Sequence, residues 1–201
     1  LRGAAGSSPF LASLIGKEAD WLGGAVQQAP EDAMNDLMAN LATDEREAGI
    51  VLREAKRRAA LMIALADLGG VWALEEVTGA LSDFADAATR RAFDVAIKGE
   101  RNGPLAGMTA EEAGLVVLAM GKGGARELNY SSDIDLILLF EDERFEDLDE
   151  VRPRWTKVAQ RAVKLLSEHT GAGYVFRTDL RLRPNPSVTS PCMPMSVAER
   201  Y

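Results

Sequence analysis

The chain reads as an α+β protein, with a helical amino-terminal region over residues 1–104 and a region over 105–201 built on a small mixed sheet. Three observations carry that reading. The first half is alanine-rich, with apolar residues at i, i+3 and i+4 spacing and little strand character. Two short apolar runs, residues 115–120 and 136–140, flank a glycine-rich turn and a pair of carboxylates. Residues 174–183 alternate between apolar or small side chains and charged ones.

From Ala48 to Ala66, positions 48, 51, 52, 55, 59, 62, 63 and 66 are apolar and form one stripe, with Arg46, Arg53, Lys56 and Arg57 outside it. Gly69-Gly70 ends this helix. A second helix is expected from Ala73 to Ile97, packing through Leu74, Val77, Leu81, Phe84, Ala88 and Val95, and the break from Gly99 to Pro104 is the expected domain boundary. The cluster Arg53, Lys56, Arg57 and Arg58 reads first as a solvated helix face; its alternative is to face a phosphate site or a protein target. A further stripe, Trp155, Val158, Ala159, Ala162, Leu165, Leu166 and His169, reads as core packing on the helix between the second and third strands. His169, the only histidine, sits where a capping or dipole role is expected.

The chemistry concentrates between residues 121 and 135. Gly121, Gly123 and Gly124 form a turn that lets backbone approach a ligand closely, and its N–H groups suit an anion. The spacing is neither that of a P-loop nor that of the dinucleotide fingerprint. Asp133 and Asp135 are two residues apart next to a strand, so both carboxylates point the same way, about 6–7 Å apart. On a strand buried on both sides, two such acids repel and lose hydration unless a cation compensates. Magnesium prefers oxygen ligands and usually takes one or two carboxylates plus substrate phosphates, so the pair beside the turn reads as a half-site for nucleotidyl transfer. Alone, the pair also fits a solvated strand end, and the turn also fits a tight corner without ligand.

The third element adds an acid and several cations. Tyr174, Phe176, Thr178, Leu180 and Leu182 are expected on one face of a strand, with Val175, Arg177, Asp179, Arg181 and Arg183 on the other; Pro184 and Pro186 stop it. Arginines around one aspartate suit a polyphosphate and metal site, and they also suit a solvated face on which Asp179 pairs its neighbours.

Composition narrows the function. With 23 basic against 31 acidic residues, a net charge of −8 and a pI near 4.8, a general attraction to nucleic acid is not expected. At 201 residues and 47% hydrophobic content the chain can bury a substantial core. A single cysteine, Cys192, excludes an intramolecular disulfide. No apolar run approaches the roughly 18–20 residues needed to cross a bilayer, and no signal peptide is seen, so the cytoplasm is the expected location.

The segments Gly121-Lys122, Gly124-Ala125-Arg126-Glu127-Leu128-Asn129, Ser131-Ser132-Asp133-Ile134-Asp135-Leu136 and Phe176-Arg177-Thr178-Asp179-Leu180-Arg181-Leu182-Arg183-Pro184 resemble the glutamine-synthetase adenylyltransferase and adenylyl-removing enzymes, members of the polymerase-beta-like nucleotidyltransferase superfamily. The likeness extends more loosely to Ser8-Pro9-Phe10-Leu11-Ala12, Leu52-Arg53 and Ala66-Asp67-Leu68-Gly69-Gly70. One departure is Gly123, where that family often has leucine. The resemblance, with Leu1 at the first position, implies a piece of a longer bifunctional polypeptide, one half adding AMP to a tyrosine of glutamine synthetase and the other removing it by phosphorolysis. Asn129, Ser131, Ser132, Ile134 and Arg177 resemble the removing, amino-terminal half.

On that resemblance Asp133, Asp135 and Asp179 would be the catalytic residues and would hold magnesium. Lys122, Gly123, Gly124, Arg126 and Ser132 would position phosphate groups, with Arg177, Arg181 and Arg183 as lesser candidates. The implied partners are glutamine synthetase, a PII-type nitrogen regulatory protein, nucleotide and phosphate. Two alternatives stay open: the adding half, which transfers AMP from ATP, and a module that binds nucleotide or partner without turnover.

Overall fold

A computed structural model describes residues 1–43 and 47–200; Arg46, placed outside the apolar stripe above, lies outside the described residues. The fold is α+β, helical with one small mixed sheet of four strands. The first part is helical throughout: α1 (Arg2–Ser7), α2 (Pro9–Lys17), α3 (Ala19–Ala25), α4 (Pro30–Thr43), α5 (Ala48–Leu68) and α6 (Leu74–Lys98). Local signals explain several starts. Ser8 caps α2 by accepting from the Leu11 N–H with Pro9 at the first position, and the Glu76 carboxylate accepts from the Ala73 N–H at 2.6 Å at the start of α6. Gly70 has φ +65 just past α5, where glycine carries no Cβ penalty.

The stripe of α5 is buried as expected, with Val51, Leu52, Ala55, Ala59, Met62, Ile63 and Ala66 all in the core. In α6, Val77, Leu81, Phe84 and Ala88 are buried but Leu74 is 73% exposed, against expectation. Leu74 is the first helical residue, at the exposed start of α6, while the nearby Trp72 is buried and donates its Nε1–H to Glu31.

The solvated reading of the α5 basic cluster is also corrected. Arg53 is buried, donating to the carbonyls of Gly49 (2.8 Å), Gly173 (2.9 Å) and Glu168. Arg57 and Arg58 both grip buried Glu18, at 2.7 and 2.9 Å. Lys56 lies 3.8 Å from the centroid of the Phe176 ring. Long-range partners, invisible in local periodicity, draw these cations inward.

The sheet is organised on β2 (Ile134–Phe140). Along one edge β1 (Leu115–Met120) pairs antiparallel, from Leu115 beside Phe140 to Met120 beside Asp135. Two short parallel strands share the other edge, β3 (Thr178–Asp179) beside Ile134 and Asp135, and β4 (Cys192–Pro194) beside Leu138, Leu139 and Phe140. A one-turn helix, α7 (Gly121–Gly124), follows β1, and α8 (Leu148–Ser167), capped by Asp147, precedes β3; a short α9 (Met195–Ala198) follows β4.

Ile134, Leu136, Leu138 and Phe140 face the helices and share one buried cluster with α5, α6 and the α8 stripe Trp155, Val158, Ala159, Ala162 and Leu166. Trp155 stacks on Phe140 with centroids 5.6 Å apart. That single cluster has members on both sides of residue 104. The opposite face of β2 carries half-buried Asp135 and Ile137 and buried Leu139, so around the acids the strand is not buried on both sides as expected. Among the described residues, no helix is long and apolar enough to cross a membrane.

Candidate active site

The glycine turn leaves the end of β1 as the one-turn helix α7 and opens the connection over residues 121–133 to β2. Gly121 has φ +55, and a Cβ there would lie 3.0 Å from the Asp135 Oδ2, so the bare backbone passes directly beside that carboxylate. At Gly124 a Cβ would lie 2.4 Å from the Ala119 carbonyl oxygen, an overlap only glycine avoids. Gly123 has ordinary room for a Cβ, so its departure from leucine alters no close contact of the backbone. Two of the amides expected to meet phosphate are engaged within the turn, Ala125 N–H on Gly121 (3.0 Å) and Arg126 N–H on Gly123 (3.1 Å). Lys122 is exposed.

The acids arrive from three short stretches. Asp133 immediately precedes β2, and Asp135 lies within it. β3 runs parallel to β2 with Asp179 directly beside Asp135, so these two side chains emerge on the same face of the sheet, the face away from the helical core. Guanidinium groups neutralise two of the three acids: Arg177 Nε lies 2.5 Å from Asp133 Oδ1, and Arg181 brackets both oxygens of Asp179, with Nε at 3.0 and 2.9 Å. The Arg181 bonds hold the Asp179 carboxyl below its ordinary range. Among the described residues no three His, Cys, Asp or Glu side chains stand together as a set able to hold a metal ion. The donor chemistry nonetheless fits magnesium: oxygen ligands only, two of them side by side on an open face that admits water and phosphate. A cation there would take over the counter-charge that Arg177 and Arg181 now provide.

Around Asp133 the turn residues form one network. Ser131 N–H donates to Asn129 Oδ1 (3.0 Å), Asn129 N–H donates to Ser132 Oγ (3.0 Å), and Arg177 also donates to the Ser131 carbonyl (3.0 Å). Two expected phosphate ligands are placed elsewhere. Arg126, itself at φ +59, reaches across to α6 and pairs with Asp83 at 2.7 Å. Arg183 turns back on its own loop, donating to the carbonyls of Leu180, Pro186 (3.0 Å) and Thr189 (3.3 Å).

The expected ten-residue strand is also corrected. Only Thr178 and Asp179 pair with the sheet, Val175 and Phe176 are both buried, and Leu182 is 52% exposed. The cause is local: the amides of Val175 and Phe176 both donate to the Leu166 carbonyl, which bends the chain and breaks the alternation. His169 lies two residues beyond α8 and packs on Tyr174, with ring centroids 4.5 Å apart.

Two further contacts around the site escape local pattern reading. Tyr130 donates its hydroxyl to Asp67 at the end of α5 (3.2 Å), joining the helical part to the turn before Asp133. Lys56 lies against Phe176, one residue before Arg177. Both join residues more than sixty positions apart, so no local pattern marks them.

The family model for glutamate-ammonia ligase adenylyltransferase matches residues 1–201. A bifunctional glutamine synthetase adenylyltransferase/adenylyl-removing enzyme of Xanthobacter autotrophicus is 43% identical over 99% of this chain and 21% of its own length. Enzymes of the same description are 40% identical in a Bradyrhizobium species, over 100% of this chain and 22% of that one, and in Caulobacter vibrioides, over 97% and 21%. The chain thus spans about one fifth of the length of the curated relatives it matches. A match along every residue, at this identity, leaves no segment outside the likeness, and the chain belongs to the glutamate-ammonia ligase adenylyltransferase family of nucleotidyl-transferring enzymes.

Proposed function

We propose that this chain removes AMP from an adenylylated tyrosine of glutamine synthetase by phosphorolysis, and that it serves the control of nitrogen assimilation together with a PII-type regulatory protein. The direction is supported by residue types, and the bonded network around Asp133 supports their place at the site. Asn129, Ser131, Ser132 and Arg177, the residues resembling the removing half, are joined there by hydrogen bonds and hold the turn against the first carboxylate.

In this reaction an oxygen of inorganic phosphate attacks the α-phosphorus of the tyrosyl-AMP linkage. The bond from phosphorus to the tyrosyl oxygen breaks, that oxygen takes up a proton, and ADP leaves. Asp133, Asp135 and Asp179 would hold magnesium, which when bound supplies positive charge to the phosphoryl oxygens. Lys122, with the backbone of Gly123 and Gly124, orients the incoming phosphate. Arg177 and Arg181 exchange their carboxylate partners for phosphate oxygens when substrate arrives, a role that suits forked donors on an open face.

The test is incubation of the chain with magnesium, phosphate and adenylylated glutamine synthetase. ADP appears with the wild type and falls at least about 100-fold with Asp133→Asn, which keeps shape and removes charge. Formation of AMP-tyrosine from ATP and unmodified synthetase, without removal, assigns the adding reaction instead. Full activity in Asp133→Asn defeats the assignment of the chemistry to these carboxylates, and no turnover in either direction by the wild type defeats both enzymatic readings.

A further inference from the structure

A cavity of about 730 Å³ opens between α2, α5, the turn at Tyr130–Ser132 and the loop at residues 171–176. None of the groups assigned to phosphate or metal in the preceding reading except Ser132 lines it. Its walls combine aromatic surface from Phe10, Tyr130, Tyr174 and Phe176 with the cations Lys17, Lys56 and Arg57; Asp67, already bonded to Tyr130, is the one carboxylate in the lining. Phe10 is 63% exposed, a large ring left at the rim. Arg57 is committed to Glu18, whereas among the described residues no carboxylate pairs with Lys56, whose ammonium rests on the Phe176 ring and lies 5.8 Å from the Phe84 centroid.

A cation left without an acid partner, inside a largely apolar recess, calls for an anion brought by a ligand whose body is flat and apolar. The volume suits a nucleotide and exceeds what inorganic phosphate alone would fill. The position narrows the chemistry further. Ser131 and Ser132 form part of the wall and immediately precede Asp133 in the chain, so the cavity borders the segment that carries the first carboxylate.

We propose that this cavity is a nucleotide site, in which a purine ring lies against the aromatic wall and the negative charge is met by Lys56. The site joins the helical part to the sheet part, since α2 and α5 supply one wall and the loops flanking β2 and β3 the other. Its ligand is either the adenylyl group being transferred, in which case the proposal rests on the reaction above, or a free nucleotide bound beside it.

Photolabelling with 8-azido-ADP in the absence of magnesium, followed by peptide mapping, tests the position. Label is expected on peptides carrying Phe10 or residues 171–176; label confined to residues 121–126 overturns the proposal. Titration calorimetry with ADP, again without magnesium, tests the charge. Lys56→Met weakens binding roughly tenfold to a hundredfold and Lys56→Arg restores much of it. Unchanged affinity in Lys56→Met, with the melting temperature preserved, also overturns it. A small phosphodiester of AMP and N-acetyltyrosine separates the sources: displacement of ADP identifies the transferred group, and retention of ADP identifies a free nucleotide. Because none of these readouts needs turnover, a chain that binds ADP through Lys56 yet fails to form ADP from phosphate and AMP-tyrosine would sink the reaction assignment and leave this site standing.

Discussion

The two faces of β2 are made by alternate residues of one seven-residue strand and meet opposite environments. Ile134, Leu136, Leu138 and Phe140 are almost completely buried against α5, α6 and α8, whereas the other face carries half-buried Asp135 and Ile137, with Leu139 buried only at its far end, and there Asp179 joins Asp135 from the neighbouring strand. One face is held by many interchangeable apolar contacts. The other depends on a few charges brought from distant segments. Stability and chemistry should therefore separate by face, although the residues are neighbours in sequence.

The sharpest break of that comparison is a pair of single changes. Leu138→Ala removes a buried side chain from a packed cluster and is expected to cost about 2–5 kcal/mol, read as a fall in the urea midpoint with an unchanged slope. Asp135→Asn should leave that midpoint within about 1 kcal/mol, because the side chain is half-buried, yet lower ADP release by at least about 100-fold. If Asp135→Asn unfolds the chain as Leu138→Ala does, the outward face is structural and the separation fails.

The same contrast explains what could be read from the sequence. The α5 stripe and most of the α8 stripe were legible because burial imposes a period of 3.6 on helices, and that period is local; β2 reads only as an apolar run, which does not say which of its faces is open. The glycine turn was legible for the same reason, since Gly121 and Gly124 answer contacts with Asp135 and Ala119, residues close in the chain. Residues 174–183 were misread as one long strand because a single acceptor, the Leu166 carbonyl, takes two successive amides and bends the chain. Arg126 and Arg183 carry the charge a phosphate site needs, but their partners, Asp83 and the carbonyls of residues 180–189, follow from tertiary placement alone. Charge type is visible in a sequence; what the charge meets is not.

Lys56 offers an intermediate test, since it is a charge on the inward side. Burial lowers its amine from the usual 10.5 to about 8. Below pH 8 both folded and unfolded chains carry the proton, and the folded state bears the full desolvation cost. Between about pH 8 and 10.5 the unfolded chain still holds the proton that the folded chain has released, so stability rises with pH across that window. The gain is at most about 3 kcal/mol. Denaturation midpoints of wild type and Lys56→Met measured at several pH values isolate it from other titrating groups: the variant lacks the rise and is the more stable protein at pH 7. A wild type whose pH dependence parallels the variant places Lys56 in water.

The smallest expected change in stability falls at the joint between the two parts. Tyr130→Phe removes one partly exposed hydrogen bond to Asp67, about 0.5–1 kcal/mol, and leaves the ring in place. Burial and the neighbouring Asp67 charge hold the Tyr130 hydroxyl well above its ordinary pKa, so it remains a donor across the neutral and mildly alkaline range. The bond should therefore show no titration there. Its consequence for activity is expected to exceed its consequence for stability, because Tyr130 precedes Ser131 and Ser132, whose backbone and hydroxyl fix the approach to Asp133. Loosening that turn changes where the first carboxylate sits without changing how much surface is buried. A several-fold fall in kcat with a melting temperature within a few degrees of wild type is the outcome that places positioning on α5; equal, small losses in both would make Tyr130 a surface contact and confine the site to the sheet and its loops.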